Sequence, residues 1–230
     1  MPMLVDDPYE LYHRILEGII PTAVALQPIV NLQNSIIIGY EALARWHDVS
    51  PEVIFTVAVK LQGVNLLESL IVKEIQRIRD RVPGLLFINV HPTVTNPNVW
   101  NVFCERNVVL EITESQRINL RGVYRLRELG FPLALDDLGT GYSTFDALLQ
   151  LHPEFLKLDK VLTQSTNLKV RDSLFAAMVE HALRSGSQVI AEGIETEEQL
   201  QAAKKTGCHF GQGYLLGKPK LCISGKSNAG

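Results

Sequence analysis

The sequence has few cysteines, no long apolar run and no excess of basic residues. Its three cysteines, Cys104, Cys208 and Cys222, are scattered and form no C-x-x-C pair, so neither a disulfide framework nor a zinc site is indicated. No apolar run reaches the roughly 18 residues that a membrane helix needs. The first ten residues also lack the basic and apolar regions of a signal peptide. We therefore expect a cytoplasmic protein without membrane contact.

The charge and composition exclude further classes of protein. The formal net charge is -3 and the isoelectric point is near 6.1, so the whole molecule does not attract DNA, RNA or anionic lipid. Hydrophobic residues make up 46% and charged residues 20% of the chain, which is typical of a globular protein and not of a disordered one. A length of 230 residues suits one α/β barrel, a fold that commonly has about 250 residues.

Short β-rich segments alternate with segments of helical periodicity. A helix is predicted at 8–18, and the segments 22–30 and 35–46 are joined by a hairpin-length connection, which predicts an antiparallel pair. Further strands are predicted at 85–90, 108–113, 132–138, 154–159, 188–194 and 209–217, and further helices at 65–80, 116–129, 167–185 and 196–207. About eight alternating units predict a closed (β/α)8 TIM-like barrel of the α/β class with an antiparallel first strand. We expect one domain over residues 8–220 and terminal tails at 1–7 and 221–230, with the final SGKSNAG mobile.

Polar residues occupy the C-terminal halves of these strands or the positions just after them. They are Glu41, Asn89, Glu111, Asp136, Asp137, Lys157, Glu192 and Gln212. That end of a (β/α)8 barrel is where active sites are built. A single acid there could equally be a solvated residue or a helix cap. A converging series of carboxylates is different, because their repulsion raises their pKa values unless cations compensate.

The donor types indicate which cation compensates. All candidate ligands are carboxylate or amide oxygens, which favours two Mg²⁺ or Mn²⁺ ions, with Ca²⁺ as an inhibitory substitute. Adjacent aspartates can flank two ions about 3.5 to 4 Å apart, an arrangement that activates water against a phosphodiester. His47, His91 and His209 are interpreted as ordinary polar positions, since no histidine partner stands at metal-ligand spacing. The glycines of GTGYS lack the third glycine of a nucleotide-binding fingerprint.

A series of short motifs resembles one known family in order and spacing. The motifs are QPIV, YEALARW, INV, LEITES, LALDDLGTGYS, FLKLDK, VIAEGIETEEQL and GCHFGQGYLLGKP, which together cover nearly all of residues 22–219. They resemble the EAL domain family, the bacterial phosphodiesterases of cyclic di-GMP. The resemblance implies a (β/α)8 barrel with an antiparallel first strand, the hydrolysis of cyclic di-GMP to linear pGpG, and a homodimer.

The resemblance also implies roles for individual residues. Glu41, Asn89, Glu111 and Asp136 would hold one metal ion, and Asp136, Asp137 and Glu192 would serve the second. The catalytic set would be Glu41, Lys157, Glu192 and Gln212. Within it, Lys157 would orient or polarise the attacking water and Gln212 would complete the site. Whether Glu192 acts as general base or only as a ligand stays open at this point.

Substrate contacts are implied for Gln27, Leu43, Arg45 and Asp159. Arg45 would clamp a phosphate through its bidentate guanidinium, and Gln27 would meet a guanine edge. Glu195 would anchor the loop after the paired aspartates, although an acid at the start of a helix is also favoured by the helix dipole.

Some features depart from the family pattern and leave rival functions open. Ala44 and Leu138 stand where larger or aromatic residues are usual, and the segments 47–88 and 90–110 look short, which affects substrate affinity and dimer geometry more than chemistry. One rival is a catalytically inactive receptor of cyclic di-GMP or a protein-interaction module. A second rival, from fold analogy alone, is another metal-dependent barrel enzyme such as an enolase-like lyase.

Overall fold

The computed structural model describes residues 7–46, 49–94, 96–104, 107–113, 118–138 and 144–222. Several expectations fall outside the described residues. They are residues 1–6 of the expected N-terminal tail, the position of His47, the start of the predicted helix 116–129, the arrangement of the GTGYS loop beyond Leu138, and the mobility of the C-terminal SGKSNAG. The described helices include none that is long and apolar enough to cross a membrane.

Eight strands form a closed barrel, and a short ninth strand pairs with the first strand. The strands are β1 Ala23–Asn31, β2 Ile37–Arg45, β3 Leu85–Val90, β4 Val108–Thr113, β5 Leu133–Leu138, β6 Phe155–Leu158, β7 Gln188–Ala191, β8 Phe210–Gly211 and β9 Lys220–Cys222. Strands β2 to β8 pair in parallel in chain order, and β1 closes the ring between β8 and β2. Because β1 is antiparallel to both neighbours, the predicted barrel with an antiparallel first strand is confirmed.

Helices cover the outside of most of the barrel. They are α1 Pro8–Leu16, α2 Pro51–Lys60, α3 Val64–Ile78, α4 Leu120–Glu128, α5 Thr144–Leu151, α6 Lys160–Thr163, α7 Leu168–Ser185 and α8 Glu197–Lys205. The sequence prediction did not include α2, α5 or α6. Within the described part of the β3–β4 connection there is only a 3-10 segment, Pro97–Phe103, in line with the short segment noted in the sequence. α8 starts with a capping box, since the Thr196 hydroxyl accepts the Gln199 backbone N–H and the Gln199 side chain accepts the Thr196 backbone N–H.

The last strands are shorter than the sequence suggested. β7 ends at Ala191, so the last three residues of the predicted segment 188–194 continue as loop. β8 has only two residues, so most of the predicted segment 209–217 lies outside it. The chain then returns to β1, where Leu221 pairs with Ala25. β2 already occupies the other edge of β1, so β8 and β9 lie one after the other along a single edge of β1. β9 was not predicted from the sequence.

Strand alternation divides the apolar side chains into two cores. The larger core lies between the barrel and its helices and includes Leu86, Ile88 and Leu110 on the strands with Leu67 and Ile71 on α3. The smaller core fills the barrel interior and contains Ile29, Phe87, Val109, Ala134, Phe155, Ile190 and Phe210. Since successive residues of a strand face opposite sides, residues two positions away from the smaller core also point into the barrel. The smaller core is therefore the floor on which the site is built.

A candidate active site at the carboxyl ends of the barrel strands

Each of the eight barrel strands contributes one polar residue to a layer above the apolar floor. Each polar residue lies two positions along the chain from a residue that faces the barrel interior. Seven of these inner residues belong to the smaller core, and the eighth is Gly39, which pairs with Ile29. Glu192 and Gln212 stand just after the ends of β7 and β8. The pairs are Ile29 with Gln27, Gly39 with Glu41, Phe87 with Asn89, Val109 with Glu111, Ala134 with Asp136, Phe155 with Lys157, Ile190 with Glu192 and Phe210 with Gln212. In seven strands the polar residue follows its partner. In β1, which runs the opposite way, it precedes it, so that all eight share one end of the barrel.

Lys157 is the cationic centre of this layer. Its ammonium Nζ lies 2.8 Å from Glu192 Oε1, 2.9 Å from Glu111 Oε1, 3.1 Å from Asp136 Oδ1 and 3.6 Å from Glu41 Oε2. The Lys157 side chain is 1% exposed. Four carboxylates therefore surround one buried ammonium group, and the described layer carries more negative than positive charge.

Glu41 is held by two side-chain amides as well as by the lysine. Asn89 Nδ2 donates to Glu41 Oε1 at 3.0 Å, and Gln212 Nε2 donates to Glu41 Oε2 at 2.5 Å. Gln212 Nε2 also donates to Gln27 Oε1 at 3.1 Å, and Gln27 Nε2 donates to the Gly217 carbonyl at 3.2 Å. This network connects four strands that are adjacent around the barrel, in the order β3, β2, β1 and β8.

The paired aspartates reach the same side of the sheet through a break in strand regularity. Neighbouring side chains of a regular strand face opposite ways, yet Asp136 and Asp137 border the same cavity. The β5–β6 register shifts between Leu135 and Leu138, and Asp137 has a positive φ of 59°. Aspartate tolerates this left-handed conformation better than most residues, and such bulges are common beside active sites. One ligand atom each from Asp136, Asp137 and Glu192 lies within 4.8 Å of the other two.

Burial and crowding shift the pKa values of the carboxyl groups upward, with one exception. Burial raises the pKa of Glu192 to about 8 although Lys157 opposes the shift, and burial together with Asp136 raises the pKa of Asp137 to about 6. Burial likewise raises the pKa values of Glu111 and Asp136. For Glu41, burial alone would raise the pKa, but Lys157 and the two amide donors outweigh it and lower the value.

The pKa of the Lys157 ammonium group is also raised, but by the neighbouring carboxylates and not by burial. Burial alone would lower the pKa of Lys157, but the surrounding carboxylates, Asp136 first, raise it well above its ordinary value. Lys157 therefore stays charged throughout the neutral range, whereas some of the surrounding acids hold protons there.

Two cavities open at this end of the barrel and share Asp137. A cavity of about 340 Å³ is lined by Gln27, Glu41, Asp136, Lys157, Glu192 and Gln212, with Asp159 and Glu195 at its border. A second cavity of about 470 Å³ is lined by Asn89 together with Leu43 and Arg45. The structure thus places seven of the eight polar residues predicted from the sequence, and the four predicted substrate contacts, around these two cavities. The eighth, Glu111, lines neither cavity and is fully buried beside Lys157.

Several of these residues already have protein partners. Asp159 Oδ1 accepts the Val161 backbone N–H at 2.7 Å and caps α6. Arg45 Nη1 donates to the Ala44 carbonyl at 2.8 Å. Glu195 is exposed just before α8, while residues 139–143, which it was expected to anchor, lie outside the described residues. The anchoring role of Glu195 stays a prediction.

Two of the three histidines noted in the sequence, His91 and His209, have protein partners in the structure. His91 Nδ1 lies 2.8 Å from Thr93 Oγ1, and the His91 ring stacks against Phe55. His209 Nδ1 accepts the Val189 backbone N–H at 3.0 Å.

Sequence reasoning missed two residues that border the smaller cavity, Lys160 and Tyr214. Both are exposed, and Lys218 Nζ lies 5.3 Å from the centroid of the Tyr214 ring. Lys160 is the last residue of the motif FLKLDK and Tyr214 lies within GCHFGQGYLLGKP. The motifs therefore contained both residues but did not indicate that their side chains face the cavity.

The donor set fits a hard divalent cation. Glu111 is fully buried, and its Oε2 has no hydrogen-bond partner among the described residues, an arrangement that costs free energy unless a positive group approaches. The three mutually close ligand atoms of Asp136, Asp137 and Glu192 offer oxygen alone, which is the preference of Mg²⁺, Mn²⁺ and Ca²⁺.

Comparisons with known proteins agree with this geometry. The probable cyclic di-GMP phosphodiesterase PdeB of Escherichia coli (strain K12) is 29% identical over 233 residues, which cover 90% of this chain and 45% of PdeB. The chain thus spans about half the length of the curated relatives it matches.

Solved structures share the fold along nearly the whole chain. The PaMucR phosphodiesterase in a c-di-GMP complex has a TM-score of 0.78 and 26% identity, covering 91% of this chain and 97% of that one. Klebsiella pneumoniae BlrP1 in a manganese/cy-diGMP complex has a TM-score of 0.74 and 25% identity, covering 87% of this chain and 56% of that one. A family model described as EAL domain matches residues 22–219. The protein therefore belongs to the EAL domain family.

Proposed function

We propose that this protein is a metal-dependent phosphodiesterase that hydrolyses cyclic di-GMP to linear pGpG in bacterial second-messenger signalling. The observation that carries the proposal is the polar layer to which all eight barrel strands contribute. PdeB and PaMucR are named as phosphodiesterases, and their similarity to this chain supports the same chemistry here.

Two Mg²⁺ or Mn²⁺ ions are the proposed cofactors, with Ca²⁺ as an inhibitory substitute. Glu41, Asn89, Glu111 and Asp136 would hold one ion, and Asp136, Asp137 and Glu192 would serve the other. When bound, the ions supply Lewis-acid stabilisation of phosphate oxygens and lower the pKa of bound water. The manganese complex of BlrP1 supports this choice.

The protein's own side chains hold the reactants and move the protons. Lys157 remains an ammonium group at neutral pH and donates hydrogen bonds that orient the attacking water. Glu192, in its deprotonated form, would accept a proton from that water as the new oxygen–phosphorus bond forms. The bond from phosphorus to the 3′ oxygen breaks, and the leaving oxygen takes up a proton, which yields pGpG.

The substrate would span both cavities. Arg45 lines the larger one and would clamp a phosphate, while Leu43 beside it provides apolar contact. Gln27 and Asp159 border the smaller cavity, where their polar atoms can meet a guanine edge. Gln27 would exchange its bond to Gln212 or Gly217 for a bond to the base.

Hydrolysis of cyclic di-GMP by the purified protein tests the proposal directly. Separation of the nucleotides by chromatography should show pGpG with Mg²⁺ or Mn²⁺ and none with EDTA or Ca²⁺. Glu41→Ala should abolish turnover, because it removes the acid that joins Lys157, Asn89 and Gln212. Turnover retained by this variant would refute the assignment, and binding by the wild type without hydrolysis would make the protein a receptor.

We further propose a symmetric homodimer. Val161 on α6 and Val170 and Leu174 on α7 expose 64%, 48% and 48% of their surface, and positions 170 and 174 share one face of α7. Exposed apolar side chains on one helix face, such as those of Val170 and Leu174, favour association. Light scattering should give twice the mass of one chain, and Leu174→Glu should return it to the monomer. The cytoplasmic location expected from the sequence stays a prediction.

A further inference from the structure

A buried acid outside the polar layer is attached to the backbone of the site. Glu68 lies on α3 and is only 2% exposed. Its Oε1 accepts the backbone N–H of His91 at 3.0 Å, and among the described residues it has no ion-pair partner. Burial raises the pKa of Glu68 to about 7, with the His91 N–H opposing the shift. A buried acid without a cation is costly, so its position calls for a specific reason.

The hydrogen bond between Glu68 and His91 lies where strand β3 stops pairing with β2 and β4. Pairing of β3 with β2 ends at Ile88, and pairing with β4 ends at Val90. The next backbone donor, the N–H of His91, needs an acceptor because buried backbone groups are rarely left unpaired. The Glu68 carboxylate supplies that acceptor from the covering helix.

Two parts of the proposed site depend on where β3 ends. Asn89, two residues before His91, donates to Glu41 at 3.0 Å through its amide nitrogen, and its amide oxygen is one of the proposed cation ligands. The His91 ring lies 5.8 Å from the Phe55 ring at an interplanar angle of 11°, and both rings line the cavity that contains Arg45. A shift of the His91 backbone would move both the Asn89 amide group and the His91 ring.

We propose that Glu68 is a positioning residue of the active site, which holds the end of β3 through the His91 N–H and so sets Asn89 for cation binding. The inference rests on the proposed divalent-cation site, and it adds helix α3 to the elements that position the ligands of that site. Groups that orient metal ligands without touching the metal commonly change affinity about 10- to 100-fold when they are removed.

Three variants of the full chain and two readouts test the proposal. Glu68→Met removes the acceptor while keeping the volume, Glu68→Gln keeps an acceptor oxygen, and Ile75→Val on the same helix is a matched core control. Mn²⁺ affinity is measured by titration calorimetry, and exchange of the His91 amide is measured by hydrogen–deuterium exchange. Circular dichroism checks the fold. If Glu68→Met does not fold, Glu68→Asp replaces it, because that change keeps the buried charge but withdraws the carboxylate.

We expect Glu68→Met to weaken Mn²⁺ binding at least about tenfold and to speed exchange at His91 about tenfold. In Glu68→Gln and Ile75→Val, both the Mn²⁺ affinity and the exchange rate at His91 should stay within about threefold of the wild type. Unchanged Mn²⁺ affinity in Glu68→Met would overturn the inference, whether or not exchange at His91 changes. A wild type that binds Mn²⁺ without hydrolysing cyclic di-GMP would refute the proposed function and leave this test intact.

Discussion

Replacing Lys157 by methionine should destabilise the metal-free protein strongly and in a pH-dependent way. The ammonium group contacts four carboxylates at 2.8 to 3.6 Å and is 1% exposed. Removing one partner of a buried ionic group leaves uncompensated charge, which typically costs about 3 to 5 kcal/mol. We expect a loss of that size in the free energy of unfolding at pH 8.

The sign of the pH dependence follows from linkage. Acids such as Glu192, whose pKa in the folded state is raised to about 8, hold more protons when folded than when unfolded, so stability falls as pH rises above the unfolded pKa. Without Lys157 their pKa values rise further. Each extra proton held by the folded variant steepens the fall by about 1.4 kcal/mol per pH unit. The loss should therefore be clearly smaller at pH 6 than at pH 8.

Urea denaturation followed by circular dichroism, with EDTA present, measures both quantities. Lys160→Met is the matched control, because Lys160 is exposed and such a change usually alters stability by less than about 0.5 kcal/mol. A loss below about 1 kcal/mol at pH 8, or an equal loss at both pH values, would refute the electrostatic account of the cluster.

Two further predictions concern cation binding and packing. Mn²⁺ affinity should rise with pH between 6 and 8, because binding displaces protons from Asp137 and Glu192, whose pKa values are about 6 and about 8. Calorimetry in buffers of different ionisation enthalpy should detect this proton release, and binding without proton release would contradict the prediction. Gly39→Ala should destabilise the fold by at least about 1 to 3 kcal/mol, since a Cβ there would lie 2.1 Å from the Leu85 carbonyl oxygen. An unchanged melting temperature would show that β2 and β3 can separate without cost.

The fold class and most of the site could be predicted because both depend on strand periodicity. Parallel strands end on the same side of a barrel, so acids late in successive strands must converge wherever the chain closes. Glu41, Glu111 and Glu192 follow this rule. The hairpin spacing likewise indicated the antiparallel β1.

Elements without such periodicity were missed. α5 is short and directly follows the glycine-rich loop, and α2 has apolar residues on several sides, so neither shows a clear helical stripe. β9 has only three residues, and it pairs with the part of β1 that β8 leaves unpaired, which is a tertiary contact.

What the sequence by itself determined is which residue types reach the mouth of the barrel, because alternation along each strand is a local property of the chain. Only the tertiary structure decided how they meet. Asp136 and Asp137 face one cavity because β5 departs from regular register. Gln27 joins Gln212, and Glu68 reaches the His91 backbone, across 185 and 23 residues of sequence. Contacts of this kind depend on barrel closure and helix packing, which no local pattern encodes.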